Sequence, residues 1–553
     1  MTELEQFAAP GAEWWRSAVI YQIYPRSFAD ASGDGIGDLP GITSRLDSLK
    51  ELGVDAIWLS PFMTSPQKDA GYDVADYRDV DPIFGTLADF DEMITQAHAR
   101  GIRLIVDLVP NHSSDQHVWF QEALKAAPGS PERARYVFRD GKGENGEIPP
   151  NNWESVFGGG MWERVTEADG TPGQWYLHIF DASQPDFDWT NEEVKEEFRS
   201  VLRFWLDRGV DGFRVDVAHG MVKEAGLPDY APVADADSMG GGEDSVPYWG
   251  QDGVHDIYRD WHKVLAEYDG DRALCGEAWL PTLKQTALWV RPDEMHQTFN
   301  FPYMMTAWDA ERIRDVIRDS LEEFGHVGAP STWVLSNHDV VRHASRLALT
   351  ADNPQGEGIG PKSTGKPDPV VGLARARAAT TVMLALPGSS YLYQGEELGL
   401  PEAMEIPDEF RQDPTWYRTN GERYGRDGCR VPIPWEAAAP AFGFNTTGDA
   451  WLPQPAEWAS FARDAEEADA TSTLNLYKQL LRLRRERALG VGSLVWEDLG
   501  DTTVAFRRDD LHVAANIGTE PLELGDDVTF IVQSQPFDGT ALPVDAAVWY
   551  TKG

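Results

Sequence analysis

The sequence predicts an α/β protein built on a closed (β/α)8 barrel, with a small domain inserted after the third strand and an antiparallel β-domain at the C-terminal end. Three observations predict it. Eight apolar, β-branched runs alternate with helical patterns from Val19 to about Gly399. Several of these runs stop abruptly on Asp, Glu, His, Arg or Asn, as buried parallel strands do where their C-terminal ends open into a site. From about residue 490 the pattern changes to short alternating strands separated by turn signals.

The elements follow in order. The first strand is 18–25 (AVIYQIYP), followed by helical periodicity over 41–52; the second is 56–61 (AIWLSP), followed by 88–100. The third strand is 103–109. The connection after it, from about Asn111 to Asp188, is too long for a simple loop and is rich in Gly, Pro and Trp, so it reads as an inserted domain overhanging the site. A helix over 193–208 leads to the fourth strand, 212–218, and the fifth is 273–279. The sixth, seventh and eighth are 296–301 (HQTFNF), 332–338 (TWVLSNH) and 390–395 (SYLYQG), with a helix over 371–386 before the last. The segments SLVWED, TTVAFRR and LHVAANIG carry the C-terminal strands. The expected organisation is a barrel from 1–110 and 189–485, an inserted domain over 111–188 and a β-domain over 486–553.

Composition narrows the function classes. A chain of 553 residues exceeds what one core usually supports, which agrees with several domains. The formal net charge of −43 excludes nucleic acid and anionic lipid as natural partners, since both would be repelled. A neutral or cationic small ligand fits better, and the charge itself reads as a solvated acidic surface. Most of the 21 Trp residues belong to the core, but aromatic platforms also suit sugar rings. Two cysteines, Cys275 and Cys429, make no disulfide framework and are expected as buried thiols. No segment has the apolar length of a membrane span, and the start MTELEQFAAPGAEWW has neither a basic region nor an apolar core of a signal peptide. The expected location is the cytoplasm.

The chemistry lies in four segments: RLIVDLVPNH ending at His112, GFRVDVAH at 212–219, GEAW at 276–279 and SNHD at 336–339. Acids more than a hundred positions apart converge only if their strands share one sheet or barrel. With QPDFDW at 184–189 and YQGEELG at 393–399, these segments resemble the ordered signature regions of the α-amylase family of glycoside hydrolases. GYDVADY at 71–77 and RDGCRVPIPW at 426–435 resemble its α-glucosidase and oligo-1,6-glucosidase branch. The resemblance implies a retaining α-glucoside hydrolase with a TIM barrel, an inserted B domain and a C-terminal β-sandwich. It also implies small α-glucosides such as maltose or isomaltose as substrates, and no organic cofactor.

A retaining glycosidase needs a carboxylate nucleophile and a carboxylic acid on opposite sides of the scissile bond. By match to the family these are Asp216 and Glu277. Arg214 precedes Asp216 by two, so strand alternation puts both side chains on one side, where the guanidinium is expected to keep the carboxylate ionised. Glu277, between Gly276 and Ala278-Trp279, is expected to be desolvated, as a general acid requires. The resemblance makes Asp339 the third carboxylate, holding sugar hydroxyls, with His338 and His112 donating to the same ring. It further implies that Asp69, Tyr72 and Arg426 close the pocket around the non-reducing end, and that Phe157, Phe180 and Gln184 contribute from the inserted domain.

The loop DASGDGIGD at 30–38 places Asp30, Ser32, Asp34, Ile36 and Asp38 at the spacing of an oxygen-ligand cation loop, without the twelfth-position Glu of an EF-hand. In the resembling α-glucosidases this loop binds a structural Ca2+ or Mg2+, and the same is expected here. Two departures leave the linkage open. The nucleophile is followed by Val217-Ala218-His219 where the oligo-1,6-glucosidases carry Val-Ile-Asn, and QPDFDW stands for their QPDLN. Val217 leans toward α-1,6 bonds, while His219 offers the +1 sugar a different hydrogen bond. The 220–260 connection, with DADSMGGGEDS, is expected to shape the acceptor side. A glucosyltransferase or isomerase of the family, trehalose synthase-like or sucrose-acting, would share every catalytic residue named.

Overall fold

The computed structural model describes residues 3–4, 13–167, 169–231, 246–354, 356–539 and 541–553. The DADSMGGGEDS segment therefore lies outside the described residues. Eight parallel strands make the central sheet: β1 (Val19–Ile23), β2 (Ala56–Leu59), β3 (Arg103–Leu108), β4 (Gly212–Val215), β5 (Ala273–Gly276), β6 (Gln297–Thr298), β7 (Thr332–Val334) and β8 (Ser389–Tyr393). Their order is β6-β5-β4-β3-β2-β1-β8-β7, and a parallel bridge between Phe299 and Thr332 brings the two ends of that order together into a nearly closed barrel. All eight strands stand where the sequence places them. Each is shorter at its C-terminal end than the apolar run that marks it, because the last residues leave the ladder and carry the polar side chains.

The helices form for legible local reasons. The helix Glu192–Asp207 is capped by Asn191, whose side chain accepts from the Glu193 N–H, and it buries Val194, Phe198, Val201, Leu202, Trp205 and Leu206 on one stripe. Asp368 caps Pro369–Met383 and Ser472 caps Thr473–Glu486 in the same way. The expected helix over 41–52 is instead two short ones, Leu39–Ser44 and Leu46–Leu52.

Within the third connection lies a three-stranded antiparallel sheet, with Pro172–Leu177 between Phe138–Arg139 and Trp162–Thr166. At the C-terminal end, Leu494–Trp496, Thr503–Arg508, Leu511–Asn516, Ala546–Lys552 and Val528–Gln533 form one antiparallel sheet, joined at its edge by Glu3–Leu4. A second, two-stranded sheet pairs Leu522–Glu523 with Ala541–Leu542. Ala505, Ala514, Leu542, Val548 and Tyr550 share one apolar cluster there. Contact density divides the chain into a first unit, Met1–Ser60 with Glu92–Leu104 and Phe299–Gly553, and a second, Pro61–Asp91 with Ile105–Thr298. Cys275 and Cys429 are both buried free thiols, and no helix among the described residues is long and apolar enough to cross a membrane.

Buried ionisable groups set the pH range of stability. Burial pushes His117 and His219 down to about 4 and His343 to about 3, so the unfolded chain binds more protons than the native one below about pH 6.5. Stability must fall as the pH drops through that window. Burial pushes Glu396 up to about 8 and Glu402 to about 7, so there the native state holds the extra protons, and stability falls as the pH rises toward 8. The expected result is a Tm maximum in mildly acidic buffer with a decline on both sides, read by differential scanning calorimetry. A Tm still rising from pH 6.5 to 8.5 would contradict it.

Candidate active site

The sequence-predicted residues fall into two groups, one in each unit. In the second unit, the main chain runs one residue past the ends of β4 and β5 before leaving the sheet. Asp216 N–H donates to Leu108 O at 2.8 Å, and Glu277 N–H to Val215 O at 2.9 Å. This fixes both carboxyl-bearing residues at the strand mouths, as barrel sites require. Between them lies Arg214, only 2% exposed. Its Nη1 donates to Asp216 Oδ1 at 2.6 Å and to Asp107 Oδ1 at 2.9 Å, and its Nη2 lies 2.8 Å from Glu277 Oε2. Asp107 is one residue that sequence reasoning missed, and its signal was an acid interrupting the apolar run LIVDLV. It also accepts from the Tyr72 hydroxyl at 3.3 Å, while the Tyr72 ring lies 5.8 Å from the Arg214 guanidinium carbon.

One guanidinium thus serves three buried carboxylates. Arg214 stands beside Asp216 as expected, and beside two further acids. Burial pushes the Asp216 carboxyl well above its usual range, Arg214 opposes this, and the charges of Glu277 and Asp107 add to the rise. Glu277 accepts further bonds from the Trp279 indole N–H at 3.2 Å and from the Val217 backbone N–H at 3.1 Å. Val217 is in the left-handed region at φ +45°, a costly conformation for a β-branched residue, and the turn it makes aims that N–H at Glu277.

The rest of this group surrounds His112. Gln184 Nε2 donates to Asp69 Oδ2 at 3.1 Å. His112 Nε2 lies 3.1 Å from Tyr72 O, and His112 Nδ1 lies 3.1 Å from Asn111 Nδ2. Lys223, missed from the sequence, donates to Asn111 Oδ1 at 2.9 Å and pairs with buried Asp186 at 2.7 Å. That bond turns the amide nitrogen of Asn111 toward His112, so Nδ1 accepts and Nε2 carries the proton. Burial lowers the His112 pKa, keeping the ring neutral. Phe180 packs 5.3 Å from His112 and 5.6 Å from Phe157. His219 stacks on Trp249, with centroids 4.4 Å apart.

In the first unit, His338, Asp339 and Arg426 come together as expected. Asp339 Oδ1 accepts from Arg430 Nη2 at 2.9 Å and from Arg426 Nη1 at 3.1 Å, and Oδ2 lies 3.3 Å from His338 Nε2. Gln22 Nε2 lies 2.7 Å from His338 Nδ1 and 3.0 Å from Ser60 Oγ. Arg426 also pairs with Asp413 at 2.6 Å. Burial alone would raise the Asp413 carboxyl, but Arg426 and Arg430 hold it at about 2. Arg430 and Asp413 carried no readable signal, since Arg430 bonds Asp339, 91 positions away, and Asp413 bonds Arg426, 13 positions away.

In the loop expected to hold a cation, the carboxylates accept from neighbouring N–H groups. Asp30 accepts from the Gly33 and Gly35 N–H groups at 2.6 and 2.8 Å, and from Asn445 Nδ2 at 2.7 Å. Asp38 caps the helix Leu39–Ser44, accepting from Gly41 N–H at 2.7 Å, and also accepts from Ser32 N–H at 2.9 Å. Asp34 accepts from Ile36 N–H at 2.9 Å. No cluster of three or more His, Cys, Asp or Glu side chains placed to hold a metal occurs among the described residues.

Comparison with known proteins now places the chain. Residues 22–492 match the model for the alpha-amylase catalytic domain. The chain belongs to the alpha-amylase family. It is 38% identical over 515 residues to a probable alpha-glucosidase of Rhizobium meliloti, covering 90% of this chain and 88% of that one. An oligo-1,6-glucosidase of Parageobacillus thermoglucosidasius is 36% identical over 519 residues, covering 88% of this chain and 86% of its own. Among solved structures, an alpha-glucosyl transfer enzyme is 37% identical, with a TM-score of 0.84 over 98% of this chain and 100% of the other. The chain is a glycoside hydrolase of the α-glucosidase type.

Proposed function

We propose that this family member is a retaining, exo-acting α-glucosidase that removes terminal α-1,4- or α-1,6-linked glucose from short oligosaccharides such as maltose or isomaltose. The observation that carries the reading is the single guanidinium of Arg214 bonded at once to Asp216 and Glu277. Carboxyls held by the two terminal nitrogens of one guanidinium are close neighbours. That favours double displacement, which needs a separation of about 5 to 5.5 Å, over inversion, which needs about 6.5 to 9.5 Å to admit a water. Asp216 attacks the anomeric carbon while Glu277 protonates the leaving oxygen. Glu277 then takes a proton from water, which releases glucose from Asp216. Asp69, Tyr72, His112 and Gln184 are assigned to the hydroxyls of the bound glucose, and Phe157 and Phe180 to its apolar surroundings.

A second reading, glucosyl transfer or isomerisation through the same intermediate, is supported by the similarity to an alpha-glucosyl transfer enzyme. Incubation with maltose, isomaltose, sucrose and trehalose, with chromatography of the products, separates the two. Glucose as the main product from maltose or isomaltose is the expected result. Transfer products or sucrose isomers in excess of glucose would replace the hydrolytic reading.

A structural Ca2+ or Mg2+ at Asp30, Ser32, Asp34, Ile36 and Asp38 is retained as a proposal with a demanding condition. Asp30 and Asp38 already accept from the backbone of their own loop, so a bound ion must compete with those bonds. If it does, EDTA lowers the Tm, since a ligand held by the folded state alone stabilises by mass action. An unchanged Tm would leave this loop as a self-satisfied acidic turn.

A further inference from the structure

A cavity of about 300 Å³ opens in the first unit between Trp14, Val19, Asp55, Arg103, Arg484 and Arg485. Val19 opens β1, Asp55 stands just before β2 and Arg103 opens β3, so the cavity lies at strand N-termini, the end of a barrel that serves stability rather than chemistry. The mechanism above uses none of these residues. Three guanidiniums and one carboxylate give this wall a charge of +2, in a chain whose net charge is −43. Asp55 is already engaged, accepting from Arg485 Nη2 and from the Val19 N–H, each at 2.8 Å. Among the described residues no carboxylate pairs with Arg103 or Arg484.

These two cations are held in different ways. The Arg103 guanidinium carbon lies 4.9 Å from the centroid of the Trp14 ring. Stacking engages the face of a guanidinium and leaves its N–H edge for an anion. Arg484, near the end of the helix Thr473–Glu486, is 3% exposed and donates to the carbonyl oxygens of Leu384, Leu386 and Gly388. Its Nε–H is buried with no partner among the described residues. Carbonyl dipoles solvate a guanidinium without neutralising it, and a buried charge that lacks a counter-charge is costly. Burial pushes Arg484 down to about 9, and the charge of Arg508 adds to the fall while Asp55 opposes it. Arg508 is buried too and likewise donates to carbonyls, those of Ala385, Leu489 and Val491. Arg485, with 58% of its side chain exposed, stands at the solvent entrance.

We propose that this cavity binds a phosphate-class oxyanion, either free phosphate or the phosphate group of a small phosphomonoester, held by Arg103, Arg484 and Arg485. The charges match, since a phosphate group carries about −1.5 to −2 near neutral pH. The shapes match as well, because a guanidinium fork bonds pairs of phosphate oxygens bidentately, whereas a halide offers one point and half the charge. The volume stands at the lower end of small-ligand pockets, enough for the ion with a compact organic group. The bound anion would tie the starts of β1, β2 and β3 to the end of the helix Thr473–Glu486, and a ligand held by the folded chain alone stabilises by mass action. Its expected effect is therefore on stability, with turnover unaltered.

The test combines isothermal titration calorimetry with Tm measurement near neutral pH in Tris buffer. Sodium phosphate is compared with sodium chloride at matched ionic strength, because screening alone steadies a chain of this charge. Wild type is expected to bind one phosphate per chain and to gain at least about 2 °C in Tm in about 10 mM phosphate over the chloride control. Arg103→Gln is expected to weaken phosphate binding at least about tenfold, with Arg103→Lys in between and kcat/KM on an α-glucoside unchanged in both. Arg485→Gln, at the exposed rim, decides the matter should the first variant not fold, and is expected to weaken binding at least about threefold. Displacement of phosphate by glucose 6-phosphate would identify a phosphomonoester as the ligand, and binding of phosphate alone would identify the free ion. No heat of binding by wild type, equal Tm in phosphate and chloride, or undiminished affinity in the variants would overturn the proposal and leave Arg484 as a clamp on the carbonyls before β8.

Discussion

Replacing Asp216 by Ala or Glu277 by Gln is expected to lower kcat by at least about 10³-fold on any accepted α-glucoside, while the variants remain folded. A nucleophile or general acid acts in the transition state itself, so its loss removes several kcal/mol of stabilisation at the step where charge and protons move. The two changes are predicted to differ in detail. Glu277→Gln keeps the shape and retains a nucleophile, so an activated substrate whose leaving group needs no proton should recover the first step. Asp216→Ala offers no such rescue. Its Tm is expected to hold or rise, because removing one of three acids around Arg214 relieves repulsion in a buried cluster. Steady-state kinetics with an aryl α-glucoside and with a disaccharide distinguish the cases, and near-normal turnover of the disaccharide by either variant would end the assignment.

The second large effect is expected at Arg214. Its side chain is bonded to Asp107, Asp216 and Glu277. In Arg214→Leu three buried acids face one another without compensation, and breaking a buried pair from one side typically costs about 3 to 5 kcal/mol. The acids respond by taking up protons, so their folded-state pKa values rise above those of the unfolded chain. Stability gained from such protons is present at low pH and disappears as the pH climbs through the raised values. The deficit in Tm relative to wild type should therefore be small at pH 5 and large at pH 8, with activity lost at both. A deficit independent of pH, or activity close to wild type, would show that the guanidinium does not govern the cluster.

The fold and the reactive pair were legible in the sequence to different depths. Barrel strands announce themselves because burial on both faces demands continuous apolar runs, and the residues that interrupt the run mark its mouth. Asp216 and Glu277 could be named for that reason, together with the resemblance. The tuning around them could not. Asp107 looks like part of a strand until Arg214 is seen beside it, and Lys223 acts on His112 only through Asn111, across more than a hundred positions. Sequence alternation reveals one partner of Arg214 and hides the other two. The positive φ of Val217 has no signature at all in a run of apolar residues, since the turn is imposed by the bond from its N–H to Glu277. In the 30–38 loop the carboxylates accept from backbone N–H groups that the sequence alone cannot place.

The central claim is double displacement by Asp216 and Glu277, and the anomeric form of the first product tests it most directly. Proton NMR spectra taken in the opening minutes of disaccharide hydrolysis, before mutarotation, are predicted to show α-glucose. Glucose appearing first as the β-anomer would mean direct attack by water, and would contradict the account.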